Sequence, residues 1–300
     1  MSTLANILEN SSPSDNAIII PEGPSLSYSD LNNEVENIAS ILSGIGLGKG
    51  TTASIVFENS LEFMSVFLAI AKTGATVAPL NPEYTIEEFK FYMSDTDSQF
   101  LILSSQSNLS ISAANQLAIQ IIHTSMTISG NILLHKDSTE LTTKKSVNIP
   151  DPNDIALFLH TSGTTSQPKG VPLTHQNLMS SLSNISHSYN LTNEDVSLLV
   201  MPLFHVHGLI GVALTTLFSG GTLVIPSKFS ASTFWKHQYS HKATWYSAVP
   251  TIHQILLMRA DKDNAPEKSF RFIRSCSAAL APSVFDELET RFGAPVLEAY

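Results

Sequence analysis

Three hundred residues, 43% of them hydrophobic, supply one large or two ordinary domains with a substantial core. The formal net charge of −10 argues against a nucleic-acid or anionic-membrane partner, and no apolar run approaches the ~18–20 residues that span a bilayer. The single cysteine, Cys276, excludes an intramolecular disulfide and fits a reducing compartment, and Met1 to Pro13 has neither the basic start nor the apolar core of a secretory signal.

In chain order, Ile18 to Ile20, Ala53 to Phe57, Ala75 to Ala78 and Phe100 to Leu103 read as short buried strands. Between them, Asp30 is placed to cap a helix with the apolar stripe Leu31, Val35, Ile38 and Leu42. Ser60 heads a second helix, Leu61 to Thr73, which Gly74 ends, and Glu87 to Met93 gives a third. Strand–helix alternation with short connections predicts an α/β protein of mainly parallel sheets flanked by helices. Ser104 to Asp154 is less regular, with one strand at Ala118 to Ile122 and a polar tract, Lys136 to Asn153, that reads as a solvated connection. The tract suggests a first α/β subdomain at 1–154 and a second at 155–300.

The second subdomain opens on the apolar run Ile155 to Leu159, followed at once by His160-Thr161-Ser162-Gly163-Thr164-Thr165-Ser166-Gln167-Pro168-Lys169-Gly170-Val171. Five hydroxyl side chains, two glycines and a lysine in one loop can wrap a polyphosphate. Glycines admit the ligand to the backbone, hydroxyls and N–H groups donate to phosphate oxygens, and Lys169 supplies charge. A hydroxyl-rich surface loop that binds nothing is the plainer reading of the same composition. The loop is not the Walker pattern, because Lys169 precedes a glycine instead of following one. Helices follow at His175 to Tyr189, Leu209 to Phe218, Ser232 to Tyr239 and Thr251 to Arg259, and strands at Ser197 to Met201, Thr222 to Ile225 and Thr244 to Ala248.

Further clusters lie near strand ends, where α/β folds place ligands. The His205-Val206-His207 spacing could hold a metal, but a metal needs three or four ligands and no other compact Cys, His or carboxylate cluster accompanies it, so no metal site is expected. Phe272 to Leu280 reads as a strand leaving the core into small residues, with Pro282 opening a helix; it is equally a tight turn or a wall for a flat ligand. Cys276 there reads as a packing residue, since no basic group is placed to activate it. The aromatic region of Phe234, Trp235, Trp245 and Tyr246 reads as core.

The stretch Thr161 to Val171 resembles the phosphate-binding signature of the adenylate-forming superfamily, T-S-G-T-T-G-x-P-K-G-V, departing only at Ser166. Ser166 together with His160 is similar to the loop of one subgroup, the oxalate–CoA ligases. The resemblance implies the N-terminal part of an enzyme that activates a carboxylic acid with ATP and Mg²⁺ and passes the acyl group to CoA. Oxalate is the favoured acid, and other short carboxylic acids are the alternative. It further implies that Thr161, Ser162, Gly163, Thr164, Thr165, Ser166 and Lys169 hold the β- and γ-phosphates, with Lys169 and His205 as catalytic groups. His205 and Ser277 would contact the acid, with His205 as a cation or donor. Ser277, Ala278 and Ala279, with Glu298, Ala299 and Tyr300 of an adenine motif, would border the base. The implied partners are small molecules alone, and the implied location is intracellular, cytoplasmic or peroxisomal; nothing in the sequence bears on oligomeric state.

Against the family pattern, the Thr-Glu pair after Tyr300, a third acid-contacting histidine, a ribose-binding Asp and the mobile C-terminal domain with its lysine are missing. The chain therefore reads as a fragment, a truncated gene model or a degraded copy. Two alternatives to a ligase stay open at this stage, a nucleotide-binding pseudoenzyme and a non-functional remnant.

Overall fold

Two sheets organise the chain in a computed structural model that describes residues 3–9, 11–104, 108–161, 168–263, 265–266 and 270–299. In chain order the strands are β1 (Asn16–Ile19), β2 (Ser25–Ser27), β3 (Thr52–Val56), β4 (Thr76–Pro79), β5 (Phe100–Ser104), β6 (Gln120–Met126), β7 (Ile132–Lys136) and β8 (Thr139–Glu140). They continue as β9 (Ile155–Thr161), β10 (Lys169–Thr174), β11 (Val196–Leu198), β12 (Thr222–Val224), β13 (Trp245–Ala248), β14 (Phe272–Cys276) and β15 (Val296–Ala299). One sheet has the order β15-β14-β13-β11-β12-β1-β2, and the other β10-β9-β4-β3-β5-β6-β7-β8. The inner pairs are parallel; antiparallel pairing is confined to β1–β2, β6–β7–β8 and the hairpin β9–β10. Strands covered by helices on both faces are apolar along their whole length, which is why β3, β4 and β5 were legible as uninterrupted runs.

The sheets do not share out the chain at residue 154. β1, near the N-terminus, pairs with β12, and β9 pairs with β4, so each half of the sequence lends strands to the other's sheet. One core cluster accordingly runs from Leu4 through Leu61–Lys72 to Trp245 and Phe272. At its centre the helix Leu61–Lys72 buries ten of its twelve residues. It is apolar on every side because it packs on the helix Tyr28–Gly44 and on β3 and β4 at once.

Local signals were mostly correct, with three corrections. The first helix is capped by Ser27, not Asp30. Ser27 is still extended, its hydroxyl accepts from Asp30 N at 3.1 Å, and Asp30 reaches back to Ser27 N at 3.3 Å, a reciprocal capping box. Ser60 does cap Leu61–Lys72, and Gly74 takes the left-handed conformation after it. Secondly, 104–154 carries more structure than one strand: the helix Asn108–Gln116, then β6, β7 and β8. The strand placed at Ala118 begins at Gln120, because Ala118 turns at φ +56°. After β8 the polar tract, 141–153, lies outside helices and strands, and Lys145 N there donates to Ser40 O. Thirdly, the helix expected from Leu209 starts at Val206 and is π-wound over Leu209–Leu214.

One buried amide joins the carboxyl ends of the two sheets. Asn59, in the turn after β3, donates from Nδ2 to Met201 O at 3.1 Å and accepts at Oδ1 from Leu203 N at 2.8 Å. Met201 and Leu203 lie in the turn after β11 of the other sheet. Asn59, Met201 and Leu203 are all buried, so neither backbone group has ready access to water as a substitute. No described helix is long and apolar enough to cross a membrane.

Asn59→Ala leaves a buried carbonyl and a buried N–H without partners, and we expect a loss of about 2–4 kcal/mol in denaturant unfolding. A change below about 0.5 kcal/mol, the range of ordinary surface substitutions, would show that the clamp carries no load.

Candidate functional site

A cavity of about 600 Å³ opens where the carboxyl ends of both sheets meet, a volume suited to a small ligand. The end of β4 supplies Pro79 and Leu80, β9 supplies His160 and Thr161, the segment after β11 supplies Phe204 to His207, β14 supplies Arg274 and Cys276, and the turn after it Ser277. Thr161, His205 and Ser277, drawn from three distant parts of the sequence, thus share one wall-to-wall space.

The hydroxyl-rich loop joins two antiparallel strands. Thr161 ends β9, and Lys169, read from the sequence as a loop residue, opens β10 directly opposite it, with an exposed side chain. Ser162, Gly163, Thr164, Thr165 and Ser166, between them, lie outside the described residues. The hairpin's base is fixed by His160, whose Nε2 lies 2.8 Å from Asp95 Oδ2 and whose ring packs edge-on against Tyr92. Gly170 faces His160 in the register, and a Cβ on it would stand 2.5 Å from the Phe158 ring, so only glycine lets the hairpin close this tightly.

His205 and His207 part company. His205 sits just before the helical segment 206–218, is exposed towards the cavity, and is pushed below the ordinary histidine pKa by burial of its ring. It is therefore a neutral donor or acceptor at pH 7, not the cation considered from sequence. His207 points inward at 5% exposure, its pKa driven down to about 4 by burial first and by the Arg274 charge next. Its Nδ1 lies 3.0 Å from Ser277 Oγ and its Nε2 2.7 Å from Ser247 Oγ. Arg274 Nη1, which can only donate, reaches Ser247 Oγ at 3.3 Å. Proton positions follow by assigning each group its available role. Ser247 accepts from Arg274 and donates to His207 Nε2; His207 Nδ1–H donates to Ser277 Oγ; the Ser277 hydroxyl proton is left for the cavity.

Ser277 holds this position with a backbone in the left-handed region, φ +72°, which is uncommon for a side-chain-bearing residue and concentrates at functional sites. Glu298 steadies the same turn by accepting from Leu280 N at 2.9 Å. Ala299 pairs with Cys276 across β14 and β15. Ala278 and Ala279 are exposed beside Ser277 and do not line the cavity; Tyr300 lies outside the described residues. Cys276 is half-buried, its sulfur 3.7 Å from Arg274 Nη2. Trp245 and Tyr246 are fully buried core, as read from sequence, but Ser247 next to them belongs to the site.

Sequence reasoning missed His207, Ser247 and Arg274 as a unit. His207 was weighed as one half of a metal pair with His205 or, more simply, as a satisfied structural histidine, and among the described residues no group of three or more His, Cys, Asp or Glu could hold a metal ion. The available signal was an arginine in mid-strand within an apolar run, since a buried charge is rarely placed without a partner or a task.

The AMP-binding enzyme family model matches residues 9–300 of the chain. An oxalate–CoA ligase of Arabidopsis thaliana is 44% identical over 99% of this chain and 60% of its own length. An oxalate–CoA ligase of Saccharomyces cerevisiae is 37% identical, again over 99% of this chain and 60% of its own length. Among solved structures, MatB of Rhodopseudomonas palustris without ligand superposes with a TM-score of 0.84 and 25% identity, covering 99% of this chain and 59% of that one. The chain thus spans about 60% of the length of the curated relatives it matches.

His175, His207 and His253 are each held at a pKa of about 4, chiefly by burial, against about 6.5 when exposed. A depressed histidine pKa favours the fold while the ring is neutral. That contribution is complete above pH 6.5 and is lost as pH falls from 6.5 towards 4. The denaturant midpoint should therefore drop steadily across this window, and a midpoint independent of pH there would contradict the burial of these rings.

Proposed function

The chain belongs to the AMP-binding enzyme family, and on that premise we propose that the intact protein is an acid–CoA ligase acting on a short carboxylic acid, with oxalate as the leading substrate. The observation that carries the reading is the meeting of Thr161, His205 and Ser277 on one cavity at the carboxyl ends of both sheets. In the proposed reaction the acid carboxylate attacks the α-phosphorus of ATP, giving an acyl-adenylate and pyrophosphate. The CoA thiolate then displaces AMP.

Each step asks for positioning and charge neutralisation more than for covalent chemistry. Thr161, the loop 162–166 and Lys169 would hold the β- and γ-phosphates as pyrophosphate leaves. Ser277, its hydroxyl proton directed to the cavity by His207, would donate to the acid, with His205 as a second neutral contact. Ala278 and Ala279 would lie along the adenine, with Glu298, Ala299 and Tyr300 completing that border. Mg²⁺, arriving with ATP, would offset polyphosphate charge. The small acid is supported by the similarity to two oxalate–CoA ligases. A cytoplasmic or peroxisomal location suits the same reading.

In the intact protein, Lys169→Ala should lower kcat/KM for ATP by about 10²-fold with every acid tested. Undiminished ATP use would remove the phosphate assignment. Ser277→Ala should raise the KM for oxalate by roughly tenfold while changing that for ATP by less than about twofold; equal effects on both would argue against acid contact.

A further inference from the structure

Arg274 is the one permanent charge among the described residues of the cavity wall. Among the described residues no Asp, Glu or Lys lines that space, although the chain as a whole carries 26 acidic against 16 basic residues. Arg274 is 7% exposed and its guanidinium makes no ion pair with any described carboxylate. Its partners are all neutral: Tyr189 Oη at 3.0 Å from Nε, Ser247 Oγ at 3.3 Å and Gly211 O at 3.5 Å from Nη1, and Cys276 Sγ at 3.7 Å from Nη2. Several of these contacts are long, and the second Nη group has only a sulfur for a partner. Arg271, three residues before Arg274, shows the contrast: it is answered by both oxygens of Asp195.

The fold also makes room for this unanswered charge. A Cβ at Gly211, in the π-wound segment, would lie 2.8 Å from Arg274 Nη1. A buried cation without a counter-charge is costly, and its desolvation is recovered when an anion enters beside it. We infer that Arg274 selects for an acid bearing a second negative group, by pairing with that distal group while Ser277 contacts the acid near the reacting carboxylate. The inference rests on the reading of this cavity as the acid pocket, and deepens it by naming the residue that selects for the second negative group. The two neighbouring histidines cannot substitute for Arg274, because burial keeps both neutral at pH 7. Through Ser247 and His207 the same guanidinium also orients the Ser277 hydroxyl, so that one residue sets both ends of the acid.

The test compares oxalate with glyoxylate, which keeps two carbons but only one carboxylate, in pyrophosphate release by the intact protein. Wild type is expected to prefer oxalate by roughly tenfold or more in KM. Arg274→Gln should erase most of that preference by raising the KM for oxalate, with the KM for ATP within about twofold of wild type; Arg274→Lys should keep a good part of it. A structural role alone would change both acids and ATP together, and that result overturns the inference. So does equal use of the two acids by wild type, a result that needs no variant to fold. Release with no acid at all would instead overturn the ligase reading. Arg274 is then judged by binding: oxalate raising the Tm of wild type but not of Arg274→Gln supports the anion pairing, and equal shifts, or none, overturn it.

Discussion

The side-chain amide of Asn59 is the constraint on which the site depends. The two sheets are built separately, yet each ends its parallel strands at the same place, and a buried Asn bridges the turns that follow β3 and β11. An amide suits the position because it can donate to one backbone group and accept from another at once. Leu203 N and Met201 O are thereby held just ahead of Phe204 to His207, the segment that enters the cavity. Were the turns free to separate, Thr161 on one sheet and Ser277 on the other would have no fixed relation. The exchange of strands between the halves of the sequence reinforces this, since β1 and β9 each tie one half to the other's sheet.

Within that frame the cavity is electrically unlike the surface around it. Among its described residues, an acidic protein keeps carboxylates out of the wall, holds His205 and His207 neutral by burial and leaves one guanidinium in place. The polar chain from Arg274 through Ser247 and His207 to Ser277 turns that charge into an oriented hydroxyl. Buried networks of this kind are fully satisfied or costly. Here the terminal donors, Ser277 and part of Arg274, face the space where an acid would lie. The left-handed backbone at Ser277 is a modest strain, held by the contacts of Glu298 to Leu280 and of His207 to Ser277 itself.

What could be read from sequence was whatever is local. The parallel strands β3, β4 and β5 announced themselves as apolar runs, and Ser60 and Gly74 as the ends of a helix, because propensity and capping act within a few residues. Ser27 was passed over for Asp30 because both are capping types, and only the turn geometry decides which one is still extended. The segment 104–154 was under-read because β7 and β8 lie at the edge of their sheet, where short strands carrying polar residues such as Lys136, Thr139 and Glu140 need little burial. The crossing of β1 and β9 between sheets left no local trace at all. At the site, His205 and Ser277 were named through family resemblance, whereas His207 and Arg274 gain their meaning only from Ser247, a residue 40 positions from His207. Hydrogen bonds between strands that far apart are properties of topology, and a single sequence does not display them.

Acid-dependent pyrophosphate release by the intact protein, run in parallel with oxalate, malonate, acetate and a medium-chain fatty acid, tests the central claim most directly. A cavity with one fixed positive charge predicts release with oxalate well above acetate and above the fatty acid. Release driven best by the fatty acid, or by none of the four, would contradict the assignment of this cavity to a small anionic acid.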